Sequence, residues 1–216
     1  MKIYKKVFHY CLILIVLSLP TSFANAKNIP SSFADLAEKL MPSVVNIAST
    51  QTIKTTSNPF KNFQFPPGSP FEDMFKEFNR QTERKATALG SGFIIDRKGI
   101  VVTNNHVIQG AEDIIVSVNG STEYKAKVIG TDPYMDLAVL QIVSDEKFET
   151  VSFGDSDKAR VGDWVIAIGN PYGFGGTVTS GIISSRNRDI GLTRYDDFIQ
   201  TDASINQGNS GGPLFN

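Results

Sequence analysis

The residues of this chain that could do chemistry are one serine, one histidine and a short choice of aspartates. Ser210 lies in Gln207-Gly208-Asn209-Ser210-Gly211-Gly212-Pro213, a serine set between glycines. Glycine admits backbone angles closed to other residues, so this stretch can present a hydroxyl on a tight turn. The N–H groups of Gly208, Asn209 and Ser210 could then converge on one point, as an oxyanion hole requires. Gly-Asn-Ser-Gly is also ordinary loop composition, and the hydroxyl is a poor nucleophile without a base to take its proton. Imidazole is the usual base near neutral pH. His106 follows the apolar run Ile100-Val101-Val102 through Thr103-Asn104-Asn105, where a strand gives way to a turn. A base of this kind needs a carboxylate on its other nitrogen. Asp136 is the best placed, because it precedes a run that reads as a buried strand, which would shield it from water. Asp132 is a rival, but Pro133 beside it marks a turn residue. Asp113, Asp155 and Asp157 sit among polar neighbours and read as solvated.

Counting sharpens the choice of base. Residues 1–26 carry a basic start (Lys2, Lys5, Lys6), an apolar run from Cys11 through Leu19, the breaker Pro20 and the small-x-small triplet Ala24-Asn25-Ala26. That is the pattern of a cleaved export signal, and its apolar run is short of the roughly 20 residues a membrane span needs. Removing it takes away the single cysteine and His9. The mature protein would then hold no thiol nucleophile and no disulfide, and His106 would be its one imidazole. One histidine without cysteine also argues against a zinc site, so no metal or other cofactor is expected. A net charge of −1 on 216 residues gives no reason to expect nucleic acid or an anionic membrane as partner. The absence of a later long apolar run predicts an exported protein without an integral membrane segment.

The elements that must position these residues are short strands. Helical spacing over Ser32–Leu40 stops at Pro42, and Ser43–Ala48 reads as the first strand. From about Gln51 to Lys85 the pattern dissolves, which predicts a long mobile or regulatory loop within about 51–87. Its Phe60, Phe63, Phe65, Phe71, Phe75 and Phe78 would dock on a partner or groove, or cover the loop's own domain. From Ala88 onward, runs such as Phe93–Ile95, Gly99–Thr103, Ile114–Val118, Tyr124–Ile129 and Leu137–Ile142 alternate with turn residues. Asn119-Gly120 marks a hairpin between the third and fourth. Asp145–Lys147 form a polar break, and a second series follows in Trp164–Gly169 and Gly176–Ser184. The pattern predicts an all-β barrel or sandwich. Asn119-Gly120-Ser121 also fits a glycosylation sequon, though the turn is the simpler reading.

The chain order His, Asp, Ser is that of the chymotrypsin class. Thr103-Asn104-Asn105-His106-Val107, Asp136-Leu137-Ala138-Val139-Leu140 and Gly208-Asn209-Ser210-Gly211-Gly212-Pro213 resemble the three catalytic blocks of the HtrA (DegP/Do-like) family. Gly90-Ser91-Gly92-Phe93-Ile94-Ile95, Ala167–Gly173 and Gln200–Asn206 resemble its supporting stretches, so the likeness runs from about Pro42 to Asn216. The resemblance implies two perpendicular six-stranded chymotrypsin-like barrels, the first over about 42–145 and the second from about 150, with the triad in the cleft between them. It implies ATP-independent proteolysis of misfolded polypeptides in the periplasm, by homotrimers or larger assemblies. It likens the Phe-rich insert to the family's regulatory loop.

Two positions depart from digestive proteases. Residue 204 is Ser, not the Asp that favours basic side chains, so Ser204, Ile205 and Asn206 are expected to form a pocket for small or medium aliphatic residues. Residue 209 is Asn rather than the Asp that pairs with a freshly cut N-terminus, so control by a loop rearrangement at the oxyanion hole is expected instead. Val151–Asn216 supplies too little strand for a closed second barrel. The expectation is therefore a partial protease with an incomplete second barrel, lacking the PDZ domains that commonly follow. A non-catalytic chaperone on the same fold, or an inactive fragment, is the alternative.

Overall fold

The computed structural model describes residues 30–55, 82–170 and 176–216. Residues 1–26, expected to be an export signal, and the six phenylalanines of the insert lie outside them. The first helix, α1 (Ala34–Leu40), runs into a 3-10 turn at Met41–Ser43. Pro42 lacks the N–H that would continue the helix, and Ser43 Oγ closes the corner by donating to Leu40 O at 2.7 Å.

Six strands follow: β1 (Val44–Thr55), β2 (Thr82–Asp96), β3 (Ile100–Asn104), β4 (Asp113–Val118), β5 (Thr122–Asp132) and β6 (Leu137–Ile142). A four-residue helix, α2 (Asn105–Ile108), interrupts them directly after β3. The strands close into a barrel in the order β1-β2-β3-β6-β5-β4, every neighbour antiparallel. The period-2 pattern of the sequence explains which side faces in. Ala138, Leu140 and Ile142 alternate inward on β6, and Ile114, Val116 and Val118 do so on β4. With Val45, Ile47, Ile94 and Val101 they form one apolar core sealed by Phe148. Burying each such side chain is worth about 1.5–3 kcal/mol. Within the closed barrel each strand is paired on both sides.

The hairpin expected at Asn119-Gly120 is present. Both residues take positive φ (52° and 73°), and Ser121 N–H donates to Val118 O. The long loop expected from about Gln51 is narrower than its composition suggested. β1 continues to Thr55 and β2 begins at Thr82, paired residue for residue from Gln51↔Ala86 to Thr55↔Thr82. Polar Thr and Lys hide this ribbon from a hydrophobic pattern, because backbone pairing needs no apolar face.

The segment after β6 is strapped to the barrel. Val143 N–H donates to Lys125 O, Phe148 N–H to Arg97 O and Val151 N–H to Ile94 O. It leads to a second sheet of four strands, ordered β10-β7-β8-β9. These are β7 (Trp164–Gly169), β8 (Thr177–Arg188), β9 (Phe198–Thr201) and β10 (Leu214–Phe215). The sheet does not close among the described residues, in line with the incomplete second barrel the sequence implied.

Candidate active site

The barrel's own register brings the imidazole and a carboxylate to one end. Strand β3 pairs antiparallel with β6, Asn104 opposite Leu137. The residues just after β3 and just before β6 are therefore neighbours, and these are the His106 turn and Asp136. The contact is fourfold. Asp136 O accepts from Asn105 N–H (3.1 Å) and from Asn104 Nδ2 (2.7 Å). Its Oδ1 accepts from the His106 backbone N–H at 2.9 Å, and its Oδ2 lies 2.6 Å from His106 Nδ1. Asp136 holds φ at +51°, a conformation aspartate visits more readily than most residues, and these bonds keep it there. A carboxylate at that distance requires the proton on Nδ1, which leaves Nε2 as the basic lone pair. The rivals are engaged elsewhere. Asp132 Oδ1 accepts from Tyr134 N–H and Met135 N–H in the turn, while Asp155 pairs with Lys158 at 2.7 Å.

One expectation is corrected. The Asp136 side chain is not shielded from water: it is 44% exposed and that of His106 is 55% exposed. Only alternate residues of β6 face the core, and Leu137, next to Asp136, is itself exposed.

Ser210 is held half-buried in a turn closed by Asn209 N–H→Asn206 O (3.1 Å) and Gly212 N–H→Asn209 O (2.8 Å). Gly208 (φ +96°) and Gly211 (φ +84°) occupy conformations that side chains resist. Gly211 has a second constraint: a Cβ there would lie 2.3 Å from Ser91 O and from Thr103 Oγ1, and 3.0 Å from Asn104 N. The residue after the nucleophile is thus seated on the end of β3, next to the strand residues that lead into His106. Gly90 works from the other side, since a Cβ there would meet Val107 at 2.7 Å and Ser210 O at 3.1 Å.

The hydrogen bonds also revise the set of oxyanion donors. Asn209 N–H is committed to Asn206 O and leaves the set. The N–H groups of Gly208 and Ser210 donate to no group among the described residues. A tight turn explains the split, because only some of its amides can reach the carbonyls that close it. Ser204, Ile205 and Asn206 lie exposed on the segment entering this turn, Ser204 tied through its carbonyl to Thr179 Oγ1 at 2.8 Å. A cavity of about 470 Å³ opens beside Tyr134, close in sequence to Asp136, and is lined also by Leu192, Thr193, Arg194 and Tyr195. Asp196 fixes that loop: partial desolvation pushes its carboxyl up, but N–H groups of Leu192, Thr193 and Ile190 and the Thr193 hydroxyl together hold it below its ordinary value.

Sequence reasoning assigned no role to the buried polar groups that join the two sheets. Ser91, fully buried, donates N–H to Ser210 O (2.8 Å) and Oγ to Gly208 O (2.7 Å), while its Oγ accepts from Asn170 N–H (2.9 Å). Thr103 Oγ1 donates to Ser91 O at 2.7 Å, and Asn46 Nδ2 donates to Asn170 O (2.9 Å) and Gly90 O (3.2 Å). Their signal was polar residues set in apolar strands.

The trypsin-like peptidase domain family matches residues 90–216. The chain is 46% identical over 212 residues to a probable periplasmic serine endoprotease, DegP-like, of Brucella suis biovar 1 (strain 1330), covering 86% of this chain and 41% of that protein. A protein of the same description from Rickettsia conorii (strain ATCC VR-613 / Malish 7) is 50% identical over 198 residues, covering 86% and 38%. The chain thus spans less than half the length of these relatives. Among solved structures, the HtrA-type protease AlgW with decapeptide superposes with a TM-score of 0.66 at 41% identity, covering 85% of this chain and 55% of that one. The same protease with tripeptide gives 0.65 at 38%, covering 85% and 50%.

Proposed function

Because the chain belongs to the trypsin-like peptidase family, in its DegP-like serine endoprotease branch, we propose that the protein hydrolyses unfolded or misfolded exported polypeptides in the periplasm by acyl-enzyme chemistry. The observation that carries this reading is the His106 Nδ1–Asp136 Oδ2 contact of 2.6 Å, at the barrel end on which the Ser210 turn is seated. Asp136 keeps the proton on Nδ1, so Nε2 can take the Ser210 proton as Oγ attacks the peptide carbonyl. The developing oxyanion lies toward the Gly208 and Ser210 N–H groups. His106 then passes the proton to the leaving amine, the C–N bond breaks, and an ester to Ser210 remains. Water, deprotonated by the same nitrogen, hydrolyses that ester and restores the hydroxyl.

The substrate pocket is assigned to Ser204, Ile205 and Asn206, with a preference for small or medium aliphatic residues. Homotrimers or larger assemblies belong to the same reading, as does export through cleavage of residues 1–26. The description of both relatives as periplasmic supports that placement. Among the described residues no helix is long and apolar enough to cross a membrane.

The test is casein hydrolysis by the full-length protein and by this 216-residue chain, each beside its Ser210→Ala form. Hydrolysis by the full-length protein that disappears in Ser210→Ala supports the reading, and hydrolysis that survives it overturns the reading. Full-length protein that binds casein without cleaving it would make this a binding module instead.

A further inference from the structure

Ser91 stands out because one hydroxyl joins three parts of the molecule. It belongs to β2 of the closed barrel, receives the N–H of Asn170 at the end of β7, and gives its proton to the carbonyl of Gly208 in the nucleophile turn. The direction of the second bond is settled by the first. An N–H can only donate, so Asn170 occupies a lone pair of Oγ, and the hydroxyl proton points to Gly208 O. The 208–209 peptide is consequently held at both ends, its carbonyl by Ser91 and its N–H by Asn206 O. A second bond from the same residue, Ser91 N–H to Ser210 O, holds the peptide after the nucleophile.

Those two peptides flank the Ser210 N–H, and the first of them follows directly on the Gly208 N–H, the two groups assigned to the oxyanion. We infer that Ser91 is a positioning residue of the peptidase reaction: its hydroxyl sets the plane of the 208–209 peptide and so aims the Gly208 and Ser210 N–H groups at the oxyanion. This rests on the peptidase reading above. Gly208 is buried, so without the hydroxyl its carbonyl would be left unpaired, a costly state that rotation of the peptide relieves. Because Gly208 carries no side chain to resist, that rotation is open to it. Asn170 adds a route by which the second sheet reports to the turn, since any shift of its N–H is felt first at Ser91 Oγ.

The test compares Ser91→Ala with the parent full-length protein. Active sites are counted at the end point of fluorophosphonate labelling, and kcat and KM are measured on a peptide substrate. The affinity of a peptide boronate, whose tetrahedral adduct fills the oxyanion site, is measured as well. The expected result is a loss of about 10- to 100-fold in kcat per labelled site, less than the roughly 10²–10³-fold of deleting an oxyanion donor outright. KM should stay nearly constant, and boronate affinity should fall in parallel with kcat. Ser43→Ala removes another buried serine hydroxyl bond, to Leu40 O far along the chain, and should leave kcat per labelled site unchanged.

A Ser91→Ala protein with fewer labelled sites but normal kcat and boronate affinity at each would make Ser91 merely structural and overturn the inference. If Ser91→Ala does not fold, Ser91→Cys, nearly the same size with a weaker donor, is read in the same way. Amide exchange of the parent gives a variant-free check. Asn170 and Ser91 N–H should exchange as slowly as the barrel core, and exchange as fast as the exposed loops would contradict the clamp. Failure of the peptidase reading would look different, as casein hydrolysis surviving Ser210→Ala. Hydrolysis that depends on Ser210 but is indifferent to Ser91→Ala sinks this inference alone.

Discussion

Among the described residues one sheet closes on itself and the other does not, and the residues proposed as the triad are divided between them. The first is a closed barrel of six strands around a continuous core, with Val45, Ile47, Ile94, Val101, Val116 and Leu140 without exposure. The second has four strands among the described residues. One edge strand, β10, contributes only Leu214–Phe215, and the other, β9, pairs with two register shifts. A small core cluster on this side consists of Ala159, Val165 and Ile183 with Ile199 against it. His106 and Asp136 belong to the closed barrel, Ser210 to the open sheet. His106 and Asp136 thus inherit their geometry from strand register, while the Ser210 turn is held from β2, where Ser91 donates its N–H to Ser210 O and its Oγ to Gly208 O.

This comparison breaks most readily at the triad. His106→Ala and Ser210→Ala should each lower kcat on the order of 10⁶-fold, and the double variant should lose no more than either one, as for groups acting as a unit. Additive losses would mean that the two halves act separately. Next in size is Asp136→Asn, expected to cost about 10⁴-fold in kcat by favouring the wrong imidazole tautomer. Its backbone bonds to Asn104 and Asn105 survive that change, so the melting temperature should hardly move; a large drop would make Asp136 a folding residue first. Stability itself tells the halves apart. Leu140→Ala, at a site without exposure, should cost about 2–5 kcal/mol by denaturant unfolding. Leu214→Ala, at a side chain 40% exposed on the open edge, should cost within about 0.5 kcal/mol. Equal costs would remove the contrast. The smallest effect concerns Asp196, whose carboxyl is held below its ordinary value by the 190–193 amides. A depressed carboxyl contributes stability to its loop that is fully present above its ordinary value and is lost as pH falls through the depressed one. Leu192 and Thr193 amides should therefore lose exchange protection at the acid end and, in Asp196→Ala, at neutral pH too.

Much of this was legible in the residues themselves. The barrel strands follow from period-2 burial, and His106 stood out once His9 and Cys11 were set aside with the signal. Asp136 lies against His106 through strand register and a left-handed backbone, not through the shelter from water that its sequence setting suggested. Asn209 N–H, expected among the oxyanion donors, donates instead to Asn206 O, because composition shows which amides a turn contains and not which of them close it. The ribbon at 51–55 and 82–86 escaped notice because paired backbone leaves no hydrophobic trace in polar strands. Ser91 was visible only as part of Gly90-Ser91-Gly92; its partners Asn170 and Gly208 lie 79 and 117 residues away. No local pattern spans such separations.

The division of labour between barrel and sheet is tested most directly by a fluorophosphonate label on the full-length protein, located by mass spectrometry of its peptides. The label should sit on Ser210 alone, and its rate of attachment should collapse in His106→Ala although that residue belongs to the other sheet. Label on a different residue, or an undiminished rate on Ser210 in His106→Ala, would contradict the account.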